Sequence, residues 1–546
     1  MGNNCTYISV ILPLKLSWEP YYSLPETMSA EIGDRVAVSF SGRRYLGVVS
    51  GTGITPEEDT LARILPVREI RADKERILPK EIEFWRRIAE YYMCTVGQVY
   101  KAAYPSVKNQ DVKPRKTEEK VIGAKEHIEL SDGSSRMLQS VRTALENGRT
   151  ALLTSVDSER ILAELCLANN RGNTVWIVPE LKMEKDMQER LQDIFGSRLI
   201  LWGSDMTPSR KRKAADKVRK GNVPYIVLGT RSALFLPHHD LSLVIVGDEH
   251  DSSHKQNSPA PRYNGRDAAI LLASTFGAGC VLESVTPSLE SLYNCLCGKY
   301  VHIKSERATH VGFDIVNTNA ELRKNGMCGD ISRRLMACEP DRTAIFKPLR
   351  AAFPKMEELE PQIVRTMGEG VFITDDSASR PFPENCRYIG IFGADAMLGK
   401  SDFRADERLF QTIWRAVTTG PSSIEKVLIH TREASHPVFK TLQTGDISPL
   451  MEERKAFSMP PYTRIVDIRI VDKFPDRAMR MGGRLAGLAE KAAGKGNVMQ
   501  GTDCVRIFLK RDSTLKRRKR ELMAAVSAFE NENKYTDHLY FDVDPV

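Results

Sequence analysis

The sequence predicts an α/β protein: two tandem parallel-sheet blocks, with a small β-domain before them and an α+β domain after them. Three observations carry this. From residue 136 onward, short apolar strands alternate with helical segments, the pattern of a parallel sheet. Residues 7–50 instead show strict apolar–polar alternation broken by turn residues. After Tyr462, alternating strands flank an Ala-rich helix. A length of 546 residues accommodates about three to four domains.

In order along the chain, Ile8, Val10 and Leu12 alternate, and Arg35–Phe40 alternates again after the Ile32-Gly33-Asp34 turn. Apolar residues at three- and four-residue steps predict a helix over 79–104, closing a domain at residues 1–106. Residues 107–135 read as a linker, Lys/Glu-rich to about 130 with little apolar periodicity. The first block, 136–310, has strands near Thr150–Thr154, Val175–Glu180, Leu199–Trp202, Tyr225–Leu228, Leu243–Val246 and Gly279–Leu282. The second, 311–440, has strands near Thr343–Phe346, Gly370–Thr374, Tyr388–Phe392 and Lys426–His430, and residues 441–546 form the last domain.

Apolar residues at 41% and charged residues at 27% exclude a disordered or fibrous chain. The longest uncharged stretch, Ala268–Leu282, is too short and too rich in Ser, Thr and Gly to span a bilayer. No secretory signal opens the sequence; Met1 to Thr6 fits the loose myristoylation pattern, but the residues that follow read as a strand of the fold. The ten cysteines contain no Cys-x-x-Cys pair, so neither zinc nor any other metal site is expected, and free thiols fit a reducing cytoplasm. A net charge of +8 permits a polyanionic partner without demanding one. Two dense basic runs, Arg210–Lys213 and Lys510-Arg511 with Lys516–Arg520, raise the case for nucleic acid.

Tandem parallel-sheet blocks invite a motor-ATPase reading. The test is the loop after the first strand, which needs glycines to cradle phosphate, a Lys for its charge and a Ser or Thr for Mg²⁺. Here Ser155-Val156-Asp157-Ser158-Glu159-Arg160 follows that strand, with no glycine between Arg149 and Gly172 and no lysine before Lys182. A charge-assisted hydrogen bond contributes roughly 1.5–3 kcal/mol, so losing the Lys bond alone weakens binding about ten- to two-hundredfold. Asp157 and Glu159 add repulsion. This loop is not built to hold ATP.

The rest of the chain nonetheless resembles one family, the bacterial primosomal replication-restart helicases (PriA). The resemblance rests on Gly229-Thr230-Arg231-Ser232-Ala233-Leu234-Phe235, on Asp248–Gln256 with Pro259–Tyr263 and Arg266-Asp267, and on Thr286–Ser291. It continues through Asp402–Ala405 with Glu407-Arg408 and Phe410-Gln411, Pro460–Arg464, and Asp542–Pro545. It implies two RecA-like helicase lobes, an N-terminal domain that captures the 3′ end of a nascent strand, and the family's ATP, Mg and Zn. Several departures stand against those cofactors. The metal-holding Asp of the family's Asp-Glu-Glu-His run is Gly247, leaving Asp248, Glu249 and His250; Arg415 survives without the glycine spacing of the arginine-finger motif; and Thr374–Arg380 replaces another nucleotide-handling motif. The zinc module is absent, and the linker is short for the winged helix expected there.

The resemblance also nominates DNA contacts: Tyr21, Tyr22, Gly33 and Arg35 in the first domain, and Lys255, Gln256, Arg262 and Tyr263 in a loop resembling one that senses single strands. Tyr263 would stack a base and Arg262 pair a phosphate, although Tyr22 reads equally well as core and the loop as a cover for the sheet. Lys510 and Arg511 complete the set. The expected function is DNA binding in replication restart, on forked or single-stranded DNA, with other primosome proteins as possible partners, no membrane and no ATPase activity. The alternatives are an active 3′-to-5′ helicase with a rewired nucleotide site and a protein-interaction remnant.

Overall fold

The computed structural model describes residues 6–57, 61, 63–104, 123–169, 172–180, 185–221, 224–305, 311–320, 332–347, 356–375, 381–398, 402–533 and 538–545. The myristoylation pattern up to Cys5, most of the linker and residues 376–380 lie outside them.

The alternating N-terminal strands form a six-stranded sheet in the order Leu65–Pro66, Tyr21–Leu24, Thr6–Ile11, Arg43–Ile54, Arg35–Phe40, Glu69–Ile70. Pairing is antiparallel except where Tyr22 meets Leu65. Two register shifts between Thr6–Ile11 and the long strand Arg43–Ile54 bend the sheet around a core of Ile8, Val10, Val36 and Val38. The helix expected over 79–104 is two helices, Pro79–Tyr92 and Val96–Ala103. Met93 takes a left-handed φ of 54°, and Thr95 caps the second helix by accepting from the Gln98 N–H. Periodicity alone does not register a break that keeps the apolar face in phase.

The first block is a seven-stranded parallel sheet: Tyr300–Lys304, Thr150–Thr154, Gly279–Glu283, Leu241–Val246, Asn173–Ile177, Ile226–Gly229, Leu199–Trp202. The central strands are buried on both faces, as their unbroken apolar runs require. Tyr300–Lys304, half exposed at the edge, carries no such run and was not legible as a strand. The second block is a five-stranded parallel sheet: Gly312–Asn317, Lys426–Thr431, Tyr388–Ile391, Thr343–Phe346, Phe372–Thr374. Four antiparallel strands, Val498–Gln500, Cys504–Lys510, Thr463–Ile470 and Leu539–Val543, with helices Pro475–Ala493 and Leu515–Asn533, make the last unit.

The helix Pro79–Tyr92 knits these parts together. Trp85 is fully buried and stacks on Tyr100, while Phe84 meets Phe235 of the first block at 5.3 Å between ring centroids. Each such burial contributes about 1.5–3 kcal/mol. At its C-terminal end Tyr91 accepts from Arg464 at 2.6 Å, and Lys519 of the second basic run is buried, donating to the Glu90 and Tyr91 carbonyls.

Candidate nucleotide cleft and nucleic-acid-facing residues

In a parallel sheet the carboxyl ends of all strands open on one edge, so the loops that follow neighbouring strands meet there. Thr150–Thr154, Gly279–Glu283 and Leu241–Val246 are adjacent in that order. The topology therefore brings Ser155–Arg160, Glu283 and Gly247–His250 to one place.

The loop after the first strand is tied up by its own neighbours. Ser155 Oγ accepts from the Asp157 N–H at 3.1 Å, and Asp157 accepts from Ser134 Oγ at 2.5 Å. Val156 faces solvent, Glu159 pairs with Arg190, and Arg160 donates to the Glu129 carbonyl. Ser158 Oγ donates to Glu283 Oε1 at 2.9 Å, while Glu283 Oε2 accepts from the Asp248 N–H at 3.1 Å. Burial, with Asp248 charge adding to it, pushes the Glu283 carboxyl up to about 8, so it keeps its proton at neutral pH. A carboxyl thus spans the gap between the loop and the acidic segment.

Asp248, at a φ of 45°, points toward the second block, where Arg415 Nη2 donates to its Oδ2 at 2.7 Å. Glu249 is 1% exposed and faces the other way. It accepts from the Ser288 N–H and Oγ, Ser291 Oγ and Arg266, holding the start of the helix Leu289–Leu296. His250 is bridged to Ser284 Oγ at 2.8 Å and held in its neutral form by burial. Arg404 pairs with Glu290 at 2.7 Å and Glu407 accepts from the Leu289 N–H at 2.9 Å, giving further ties between the blocks. Burial alone would raise the Glu290 carboxyl, but Arg404 and Arg266 hold it down at about 2.

These residues do not fit a magnesium triphosphate. The loop offers no lysine and no glycine cradle, its Asp157 is bonded to Ser134 Oγ, and the Glu283 carboxyl occupies the gap between Ser158 and the Asp248 N–H. A cleft of about 770 Å³ remains beside Ser155 and Val156, lined by His302 and Lys304 of the first block and by Phe410, Trp414 and Val417 of the second. Among the described residues no group of three or more His, Cys, Asp or Glu is placed to hold a metal ion, and the eight described cysteines are free thiols.

The residues nominated for DNA separate sharply. Tyr21 is 39% exposed, whereas Tyr22 is 2% exposed, donates to the Ser39 carbonyl and has its hydroxyl pushed up to about 12 by burial. Gly33 is structural: at a φ of +95°, a Cβ there would lie 2.0 Å from the Ile77 carbonyl oxygen. Arg35 is buried over the rings of Tyr100 and Tyr104 and donates to the Tyr100 hydroxyl at 2.8 Å. Lys255 is buried, pairing with Asp542 at 2.8 Å and donating to the Val543 carbonyl at 2.7 Å. Gln256 braces the Pro259 and Pro261 carbonyls, and Arg262 lies over the Tyr540 ring. Tyr263 is 2% exposed, edge-on to Phe235 at 5.2 Å, and no face of its ring is left for a base. Lys510 is exposed; Arg511 donates to the Pro461 carbonyl and covers Tyr293. The loop Lys255–Tyr263 is thus a strut between the first block and the C-terminal strand Leu539–Val543, because its cationic and aromatic side chains find carboxylates and rings inside the protein.

Residues 9–105 match the family model for the PriA 3′ DNA-binding domain. Replication restart protein PriA of Rickettsia prowazekii is 25% identical over 89% of this chain and 92% of its own length. Over most of its length the chain is similar to PriA. PriA of Rickettsia felis is 30% identical over 53% of this chain, and PriA of Helicobacter pylori 30% identical over 52% of it; each of these matches spans 44% of the relative. Within this PriA-like chain, the residue that motif reading passed over is Glu283. Its signal is a carboxylate ending the apolar run Gly279-Cys280-Val281-Leu282, at the mouth of the sheet.

Proposed function

We propose that this PriA-like chain is a DNA-binding protein of replication restart and primosome assembly. On this reading it acts in the cytoplasm, recognises forked or single-stranded DNA through its N-terminal domain, and does not hydrolyse ATP. The match of residues 9–105 to a 3′ DNA-binding domain supports the DNA partner. The observation that supports the absence of hydrolysis is the Glu283 carboxyl seated between Ser158 and Asp248, with Arg415 closing on Asp248. An arginine that would stabilise transferring phosphoryl charge is here neutralised by the protein itself.

Equilibrium binding of a fluorescent ATP analogue with Mg²⁺, together with DNA-stimulated phosphate release, tests this. No nucleotide binding and no turnover are expected, with fork DNA bound in a salt-dependent manner. Turnover that Glu249→Gln abolishes would establish instead the second reading, an ATP-dependent 3′-to-5′ helicase with a rewired site, which the open cleft beside Ser155 favours. Absence of any DNA binding would leave a protein-interaction remnant.

A further inference from the structure

The first basic run lies on the helix Pro208–Lys220, which carries seven basic side chains against one acidic, Asp216. Thr207 caps it, and its buried face is Ala214 and Val218 alone. Arg210, Lys213, Lys217 and Lys220 are all exposed. Their spacing of three, four and three residues places them on one stripe, about 80° wide at 100° per residue and about 15 Å long. This helix flanks the sheet-edge strand Leu199–Trp202, with Lys211 over the Trp202 ring.

Its C-terminal end abuts the N-terminal domain. Arg219 pairs with Glu75 and donates to the Arg76 carbonyl at 2.7 Å. Arg76 in turn donates to the Ile32 carbonyl at 2.9 Å, and the Ile77 N–H donates to the Gly33 carbonyl. The C-terminal end of the stripe, at Lys220, therefore lies beside the segment Glu75–Ile77 that is bonded to the Ile32–Gly33 turn of the domain that matches a 3′ DNA-binding family.

We infer that the stripe Arg210, Lys213, Lys217 and Lys220 is a phosphate-backbone contact for the DNA duplex leading away from a strand end held by the N-terminal domain. The inference rests on the DNA-binding reading above and adds a surface to it. Duplex DNA carries one charge per ~1.7 Å of axis, so a row of four cations along about 15 Å meets several phosphates of one backbone. Side chains of this kind position a duplex and read no sequence. An acidic protein segment is the competing occupant; continuity with the 3′-end domain favours the duplex.

The test compares the full chain with a variant carrying Arg210→Ala, Lys213→Ala, Lys217→Ala and Lys220→Ala, by fluorescence anisotropy over a salt series. Probes are a duplex with hydroxyl 3′ ends and the same duplex with 3′ phosphates. A companion variant with Lys213→Arg, Lys217→Arg and Lys220→Arg keeps the charge, and circular dichroism with thermal unfolding verifies the fold of both. The alanine variant is expected to bind both duplexes about tenfold or more weakly, with a salt slope shallower by about 0.9 for each phosphate contact removed. The ratio between the two duplexes should not change, and the arginine variant should bind as the parent does. Unchanged affinity and slope in the alanine variant would overturn the inference and leave the DNA-binding reading standing. Polyglutamate binding that the alanine variant loses, with duplex affinity and salt slope the same in both proteins, would overturn it in favour of an acidic protein partner. No DNA binding by the parent would sink the DNA-binding reading itself, and this inference with it.

Discussion

Glu283 owes its chemistry to its neighbours rather than to its type. Burial and Asp248 favour the protonated form, so the folded protein holds a proton there that an unfolded chain releases above about 4.5. A carboxyl raised in the folded state contributes stability that is complete below its unfolded value and is lost as pH climbs toward about 8. Between pH 5 and 8 the unfolding free energy should therefore fall at up to about 1.4 kcal/mol per pH unit from this group. Glu283→Gln keeps the shape, removes the titration and should flatten that slope; urea unfolding of both proteins across this range measures it. Equal slopes would mean that Glu283 is ionised in the folded protein.

At the scale of elements, the segment Lys255–Tyr263 shows how a motif changes meaning when its side chains are turned inward. Lys255 reaches Asp542 and the Val543 carbonyl, and Tyr263 packs among Phe235 and Tyr92. Tyr263→Ala empties a buried aromatic site and should lower the unfolding free energy by about 3–5 kcal/mol in urea denaturation. A change below about 1 kcal/mol would mean that the ring is not core. The sequence supplies residues of the types a single-strand sensor uses, but burial decides whether a ring meets a base or another ring.

At the scale of the whole molecule, the two parallel sheets are joined by charge pairs and a carboxylate–amide hydrogen bond. Arg415 with Asp248 closes the cleft side, and Arg404 with Glu290 and Glu407 with the Leu289 N–H close the other. Removing Arg415 alone leaves the second set in place, so the Arg415→Ala, Arg404→Ala double variant is the informative one. Its radius of gyration in small-angle scattering should exceed that of the parent. Addition of Mg²⁺ and ATP should leave the parent unchanged. Compaction of the parent by ATP would show a nucleotide-driven closure that the pairing at Asp248 leaves no room for.

The strands of the parallel sheets could be read from the chain because a strand buried on both faces must be an unbroken apolar run, as Ile226–Gly229 is, buried at every residue. The lack of a lysine and of glycines in the loop Ser155–Arg160 was equally legible, since residue types are facts of sequence. The edge strand Tyr300–Lys304 and the break at Met93 were not, because half-exposed strands and in-phase helix breaks leave the periodicity intact. Only tertiary structure could place Glu283 against Ser158 and Asp248, or turn Arg35, Lys255 and Tyr263 inward. Residue type fixes which charges and rings a chain owns; the packing of distant segments fixes their protonation and what they face.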